Sequence, residues 1–379
     1  MTIHSAGANF NPLSPARNGL VAQWSSNLSA RRTPRRGIQA RAREGLPALQ
    51  QYILRRVLLN ILVIFFVATL VFLLLRINTD HVVSQQALQT QVTDPEATQQ
   101  AKDIVRADLG LDKPLYEQYV IYMWDIVRLD LGESFSARED VTSEIQDRIG
   151  PSLQLGLMQI MVALVIAVPI GIISAVRQDS IVDYILRFVA IAFLGIPVFV
   201  LGVFVLLLSA QHLDYTPPLT TYKDLLPFPP FETGRGVDIW TNLQIMFMPA
   251  IVGGLGVGAI IMRFLRSQML EVMRQDYVRT AWAKGLKERV IILRHSLKNA
   301  MIPVLTVVGL LLGTIVSANV VLETIYNIPG IGLWVVAAID QFDYPVIQGV
   351  VLTVAVILVF TNLLVDITYA WLDPRIRYG

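Results

Sequence analysis

The chain has 379 residues, 54% of them hydrophobic and only 16% charged, with a formal net charge of +2. Soluble domains carry about a quarter charged residues, so this composition points to a polytopic membrane protein. There is no cysteine, which excludes disulfides, a thiol nucleophile and thiolate metal ligation.

Residues 1–50 are rich in Ser, Pro, Ala and Arg, and Arg17, Arg31, Arg32, Arg35, Arg36, Arg41 and Arg43 stand against a single acid, Glu44. So little apolar content cannot bury a core, and the segment reads as a disordered, solvated basic tail near anionic lipid. Six uncharged stretches follow, at residues 57–75, 152–176, 188–210, 245–262, 299–322 and 344–365. Each is long enough to cross about 30 Å of hydrocarbon at about 1.5 Å per residue. Pro169, Gly195, Pro197 and Pro303 fall inside them, which membrane helices tolerate when neighbours satisfy the freed backbone groups.

Charge sets the orientation. With the amino terminus inside, the inner segments hold 9, 2, 9 and 2 basic residues, whereas the short outer loops at 211–244 and 323–343 hold 2 and none. That asymmetry places both termini in the cytoplasm. The chain then divides into the tail (1–50), a first transmembrane helix (51–76), an extracytoplasmic helical loop (77–151), a five-helix core (152–370) and a short cytosolic end (371–379).

The outer loop is acidic, with 14 acids against 6 basic residues. Asp94-Pro95-Glu96 reads as a helix start, with a cap and a proline in the first helical position. Gly110 ends that helix, and Pro114 opens another in which Tyr116, Tyr119, Met123 and Val127 recur at helical spacing. A third short helix is expected over 141–149. Together they form a helical cap, serving as a lid over the bundle or as a docking surface.

Small and polar residues mark helix contacts in the later spans. Gly254 and Gly258 form one GxxxG pair, and Gly309 and Gly313 another; with no strand ahead of Gly253–Gly258, packing is favoured over a nucleotide loop. Asn362 and Asp366 lie one turn apart, near the inner boundary, and suit packing or an interface.

Residues 263–298 carry nine basic residues and three acids. Leu265, Met269, Met273, Tyr277 and Ala281 recur every fourth position, and Leu286, Val290, Leu293 and Leu297 continue the helical pattern. Gly285 separates the two runs and suits a left-handed helix terminus, with Lys284 before it and Glu288 after it favourably signed for the helix dipoles. Two amphipathic helices therefore meet at a sharp corner beside the membrane.

This corner resembles the cytoplasmic coupling loop of ATP-binding-cassette importer permeases, whose signature is Glu-Ala-Ala, three residues, then glycine. With Gly285 aligned, Arg279, Thr280 and Ala281 occupy the triplet, and only Ala281 matches it. The fuller string from Tyr277 through Ala283, Lys284, Gly285 and Leu286, continuing from Arg294 to Pro303, is similar to the dipeptide/oligopeptide/nickel branch. Leu109–Leu115 with Gln118-Tyr119, Asp130–Ser134, Glu323–Gly332 and Asp373–Arg377 resemble that branch's first, B-type, permease subunit. The resemblance covers roughly residues 51–379.

It implies an all-α polytopic protein with six transmembrane helices in the type I importer permease fold, capped outside the membrane. Such a subunit sits in a bacterial or archaeal plasma membrane beside a second homologous permease, two ATPase subunits and an extracytoplasmic solute-binding protein. Its implied cargo is a di- or oligopeptide, with nickel or another small solute as the alternative. Arg279, Thr280, Ala281, Ala283, Lys284, Gly285 and Leu286 would couple it to the ATPase. ATP and Mg would bind the partner subunits and no cofactor this chain, in keeping with the lack of a GxxxxGK[ST] phosphate loop. No nucleic-acid partner is implied. Two rivals are weaker. An intramembrane enzyme lacks support, since there is no HExxH or GxSxG and the four histidines lie outside the span centres. An ion-coupled transporter or channel calls for ionisable groups near the midplane, where these spans have essentially none.

Overall fold

The computed structural model describes residues 36–77, 83–84, 95–108, 111–212 and 239–372. Two units are distinguished, Met1–Leu54 with Pro374–Gly379, and Arg55–Asp373. The expected tail over 1–35, the helix-ending Gly110 and the end at 373–379 lie outside the described residues. Among these, regular structure is helical, with one isolated bridge between Glu133 and Asp140.

The first helix, α1 (Arg36–Ile77), begins earlier than expected. Its stretch 36–50, assigned above to a disordered tail, is helical; most of it is Ala, Arg, Gln and Leu, strong helix formers that outnumber Gly37, Gly45 and Pro47. In the outer loop, α2 (Pro95–Asp108) and α3 (Leu115–Val127) start where the prolines placed them. The next expectation fails. The short helix at 141–149 and the second span are one helix, α4 (Val141–Val176), capped by Asp140, whose carboxylate accepts from the Ser143 amide at 2.7 Å. Hydrogen bonds from Ser143 hold the Asp140 carboxyl below the usual carboxylate range. Pro151 forfeits one helical hydrogen bond, but Gly150, Pro151 and Ser152 are all buried in the bundle, and packing carries the helix through.

The third span is broken rather than straight. α5 (Ile181–Gly195) and α6 (Val198–His212) meet at 102°. Ile196 is extended (φ −82°, ψ 121°), the conformation forced on a residue preceding proline, so Pro197 redirects the chain instead of being absorbed. Beyond it come α7 (Ile239–Met273), α8 (Asp276–Ala283), α9 (Glu288–Val290), a π-helical turn (Ile291–Leu297) and α10 (Lys298–Ala318). The expected fifth span at 299–322 thus stops at Ala318. Two short helices follow, α11 (Val320–Tyr326) and α12 (Ile331–Asp340), bent by 85°. At 7 and 10 residues they reach only about 10 and 15 Å, too short to cross. They form a sharply bent helical pair that the sequence reading did not anticipate. α13 (Tyr344–Leu372) closes the chain. Among the described residues five helices are long and apolar enough to span by themselves, and the bent pairs α5–α6 and α11–α12 reach that length only when each is taken as one passage.

The core is the crossing of α4 and α7, the most extensive helix pair. Ile160, Ala163 and Ala167 of α4 are buried with Ala259, Met262 and Leu265 of α7 in one cluster. A Cβ at Gly254 would lie 2.8 Å from Val162 Cγ1 and 2.9 Å from the Gln159 carbonyl, so only glycine admits this approach. Gly258 stands against Ala163. Gly309 and Gly313 of α10 lie against Val365 and Asn362 of α13. Asp366, one turn on, pairs with Arg56 of α1 at 3.1 Å. Gly254→Leu is expected to destabilise by about 1–3 kcal/mol through overpacking. A thermal midpoint unchanged from wild type would contradict so close a crossing.

Candidate functional site

The segment joining α7 to α10 is a turned helical run whose corner is built by Gly285. α7 ends at Met273, and Gln275 is extended (φ −71°, ψ 148°) before α8 begins. The single stripe expected from Leu265 to Ala281 is therefore split between two helices, because a four-residue period survives a short turn in sequence but not in space. At the other end of α8, Gly285 has φ +72°. Its amide donates to the Trp282 carbonyl at 2.9 Å and the Leu286 amide to the Ala281 carbonyl at 3.4 Å, the paired bonds of a Schellman terminus. Lys284 is the cap residue before the turn, and Glu288 opens α9 after it, as their charges suggested.

The two faces of α8 differ. Val278 and Ala281 are buried against Ile291 of the π turn, with Val272 of α7 packed beside them. Arg279, Thr280, Ala283, Lys284, Gly285 and Leu286 are exposed. Ala281, grouped above with the coupling residues, is buried. Its methyl seats inside this chain, where a small residue lets α8 lie against Ile291. A stripe reports which residues share a face, not what covers it. The exposed face also carries Tyr277 and Trp282, which are about half exposed.

Two further features join α8 to α10. The Asn299 side-chain amide donates to the Tyr277 hydroxyl at 2.9 Å and also to the His295 carbonyl. Between them lies the π turn Ile291–Leu297, a geometry concentrated at functional positions. Sequence reasoning missed both, since Asn299 looked like the polar edge of a span and no residue pattern announces a π turn.

Polar clamps hold the helices that flank this segment. Asp183 at the start of α5 is fully buried and receives Arg266 of α7 in a fork, Nε to Oδ1 at 2.8 Å and Nη2 to Oδ2 at 2.7 Å. The Ser174 hydroxyl and the Asp179 amide also donate to it, and Arg187 Nε lies 3.4 Å away. At the opposite end of α4, the Ser152 hydroxyl accepts from the Ile331 amide at 3.0 Å and its carbonyl from Asn319 Nδ2 at 3.1 Å. Gln159 Nε2 donates to Asn319 Oδ1 at 2.8 Å. Glu323, also fully buried, accepts the Gly332 and Leu333 amides at the start of α12. Asp343 accepts from the Ser134 and Ser136 hydroxyls, tying the outer loop to the start of α13. The available signal was the presence of Ser152, Gln159 and Asn319 within otherwise apolar stretches. Among the described residues no His, Asp or Glu group is arranged to hold a metal.

Residues 167–378 match the family described as binding-protein-dependent transport system inner membrane component, and residues 49–156 match the corresponding N-terminal family. The chain is 38% identical over 287 residues to the dipeptide transport system permease protein DppB of Escherichia coli K12, covering 72% of this chain and 84% of that protein. It is 37% identical over 336 residues to DppB of Alkalihalophilus pseudofirmus, covering 86% and 99%. Similarity extends to the glutathione transport system permease protein GsiC of Shigella flexneri, at 34% over 327 residues and 86% and 99% coverage.

Proposed function

This chain belongs to the binding-protein-dependent transport system inner membrane components, and from that premise we propose that it is one permease half of an ATP-driven importer of di- or oligopeptides. Relatives named for dipeptides and for glutathione favour a peptide cargo over nickel. In this reading a second homologous permease completes the pathway, a solute-binding protein delivers the peptide, and two ATPase subunits hold ATP and Mg. Both termini and the Gly285 corner face the cytoplasm, in accord with the excess of basic residues in those segments.

One observation carries the coupling role: α8 has a buried face keyed to Ile291 and an exposed face available to another chain. A push on Arg279, Trp282 and Lys284 would pass through Val278, Ala281 and the Tyr277–Asn299 bond into α10, and through Val272 into α7. Nucleotide would bias the two access states only through its differential effect on the partner that pushes. Gly254, Gly258, Gly309 and Gly313 then act as the close contacts that let the helices move as packed pairs.

The test is uptake of a labelled dipeptide into proteoliposomes holding this chain with its partners. Accumulation is expected to require ATP hydrolysis and the binding protein. Accumulation driven by an ion gradient with no ATP would overturn the proposal and restore the secondary-transporter alternative.

A further inference from the structure

The outer-loop helix α3 presents three distinct faces. One packs on α1: the Tyr119 hydroxyl lies 2.8 Å from Thr69 Oγ1, the Tyr122 hydroxyl donates to the Ala68 carbonyl at 3.3 Å, and both rings rest on Phe72. A second face, with Gln118 and Asp125, borders a cavity of about 530 Å³ whose walls also carry Lys113, Asp130, Glu133 and Arg138. Apolar side chains, Ile121 and Ile126 among them, share this wall with the charges. The third face is apolar and open: Tyr116, Val120, Trp124 and Val127 are 73%, 62%, 54% and 74% exposed. Spaced four, four and three residues apart, they form one stripe.

The depth of α3 decides what covers that stripe. Ala68 and Thr69 lie inside the apolar stretch of α1, which runs on to Leu74. At about 1.5 Å per residue the contacts sit roughly 8 Å short of its end. α3 is therefore held alongside the last turns of the span, not above them. Over the same levels α1 itself exposes Leu70, Leu73 and Leu74, so both helices carry uncovered apolar side chains at this depth. Aromatic residues concentrate at the boundary between headgroups and acyl chains. The Arg128 guanidinium lies 4.8 Å from the centre of the Trp124 ring, an arrangement in which the apolar stem can stay low while the charge reaches water.

We propose that α3 is an interfacial membrane helix, its Tyr116–Val120–Trp124–Val127 face seated in the phospholipid boundary and its Asp125 flank in water. Such helices pair an apolar face with a polar one; the charges on α3, Glu117 and Asp125, are acidic, so burial of the apolar face rather than attraction to anionic lipid would seat it. The outer cap is then a membrane-lying element along this helix, neither a lid nor a platform for a soluble protein. The inference does not depend on the identity of the cargo.

The cysteine-free chain makes the test direct. Val120→Cys, Val127→Cys and, as the opposite flank, Asp125→Cys each receive a nitroxide label in the full chain. Labelled protein is placed in phosphatidylethanolamine–phosphatidylglycerol nanodiscs, alone and with its transport partners. Relaxation by oxygen, which partitions into lipid, is compared with relaxation by a water-soluble nickel chelate. At 120 and 127 the oxygen-to-nickel ratio is expected to be several-fold higher than at 125, with or without partners. Nickel dominance at 120 and 127, or exclusion of both reagents once partners are added, would overturn the proposal in favour of water or a protein contact. If Val120→Cys does not fold, Tyr116→Cys reports on the same stripe.

Discussion

Gly285→Pro is expected to abolish peptide uptake while leaving the chain in the membrane. Proline requires φ near −65°, whereas Gly285 sits at +72° and uses its amide to close the helix end on Trp282. The substitution removes that bond and turns the chain away from Leu286. Side-chain size acts differently, because a Cβ at this position would meet nothing within 4 Å in this chain. Gly285→Val therefore costs mainly torsional strain, about 1–2 kcal/mol, and Asn, which tolerates the left-handed region, costs less. Uptake assays beside membrane abundance separate two causes. If Gly285→Asn transports and Gly285→Val does not, the turn conformation is what matters. If both fail, a partner needs bare backbone there. Normal transport by Gly285→Pro would sink the coupling assignment.

Arg266→Met is expected to cause the largest loss of stability. It leaves the Asp183 carboxylate fully buried without the fork that neutralises it, a change that costs about 3–5 kcal/mol for broken buried pairs. Arg187, 3.4 Å from Asp183, compensates only partly because it approaches through Nε alone. Arg266→Lys should fall between, since an ammonium cannot reproduce the two parallel bonds. The double change Arg266→Met with Asp183→Leu should recover most of the loss, as apolar replacements of buried ion pairs commonly do. Thermal unfolding of purified protein provides the readout, and a wild-type midpoint for Arg266→Met would show that the pair does not hold α5 to α7.

Much of the architecture could be read from the residues because lipid leaves few choices: a long uncharged stretch must be a helix. Gly285 was legible for a related reason, since a glycine between two amphipathic runs has one common use. Misreadings cluster where a single residue type serves two outcomes. Pro197 breaks a span while Pro151, Pro169 and Pro303 sit inside continuous helices, and tertiary packing, invisible in a window of sequence, decides between them. The bent α11–α12 pair was hidden because Val320–Leu322 extends the apolar run past Ala318, although Asn319 and Glu323 mark its true edge. The clamp at Asp183 joins residues more than eighty positions apart. No local pattern encodes such a pair.

The unbroken course of α4 has a mechanical consequence. Its 36 residues make a rod of about 54 Å, longer than a whole bilayer with its headgroups. One end is anchored by Val141 against Gly349 of α13, the other by Ser174 against Asp183. Gln159 and Val162, where Gly253 and Gly254 bring α7 closest, fall near the middle. The rod thus has a fulcrum at its centre and a load at each tip, and a tilt of about 10° would sweep each tip through roughly 5 Å in opposite directions for a rigid helix of that length. For a helix that stays straight through Pro151 and Pro169, small displacement on one side of the membrane becomes opposite displacement on the other.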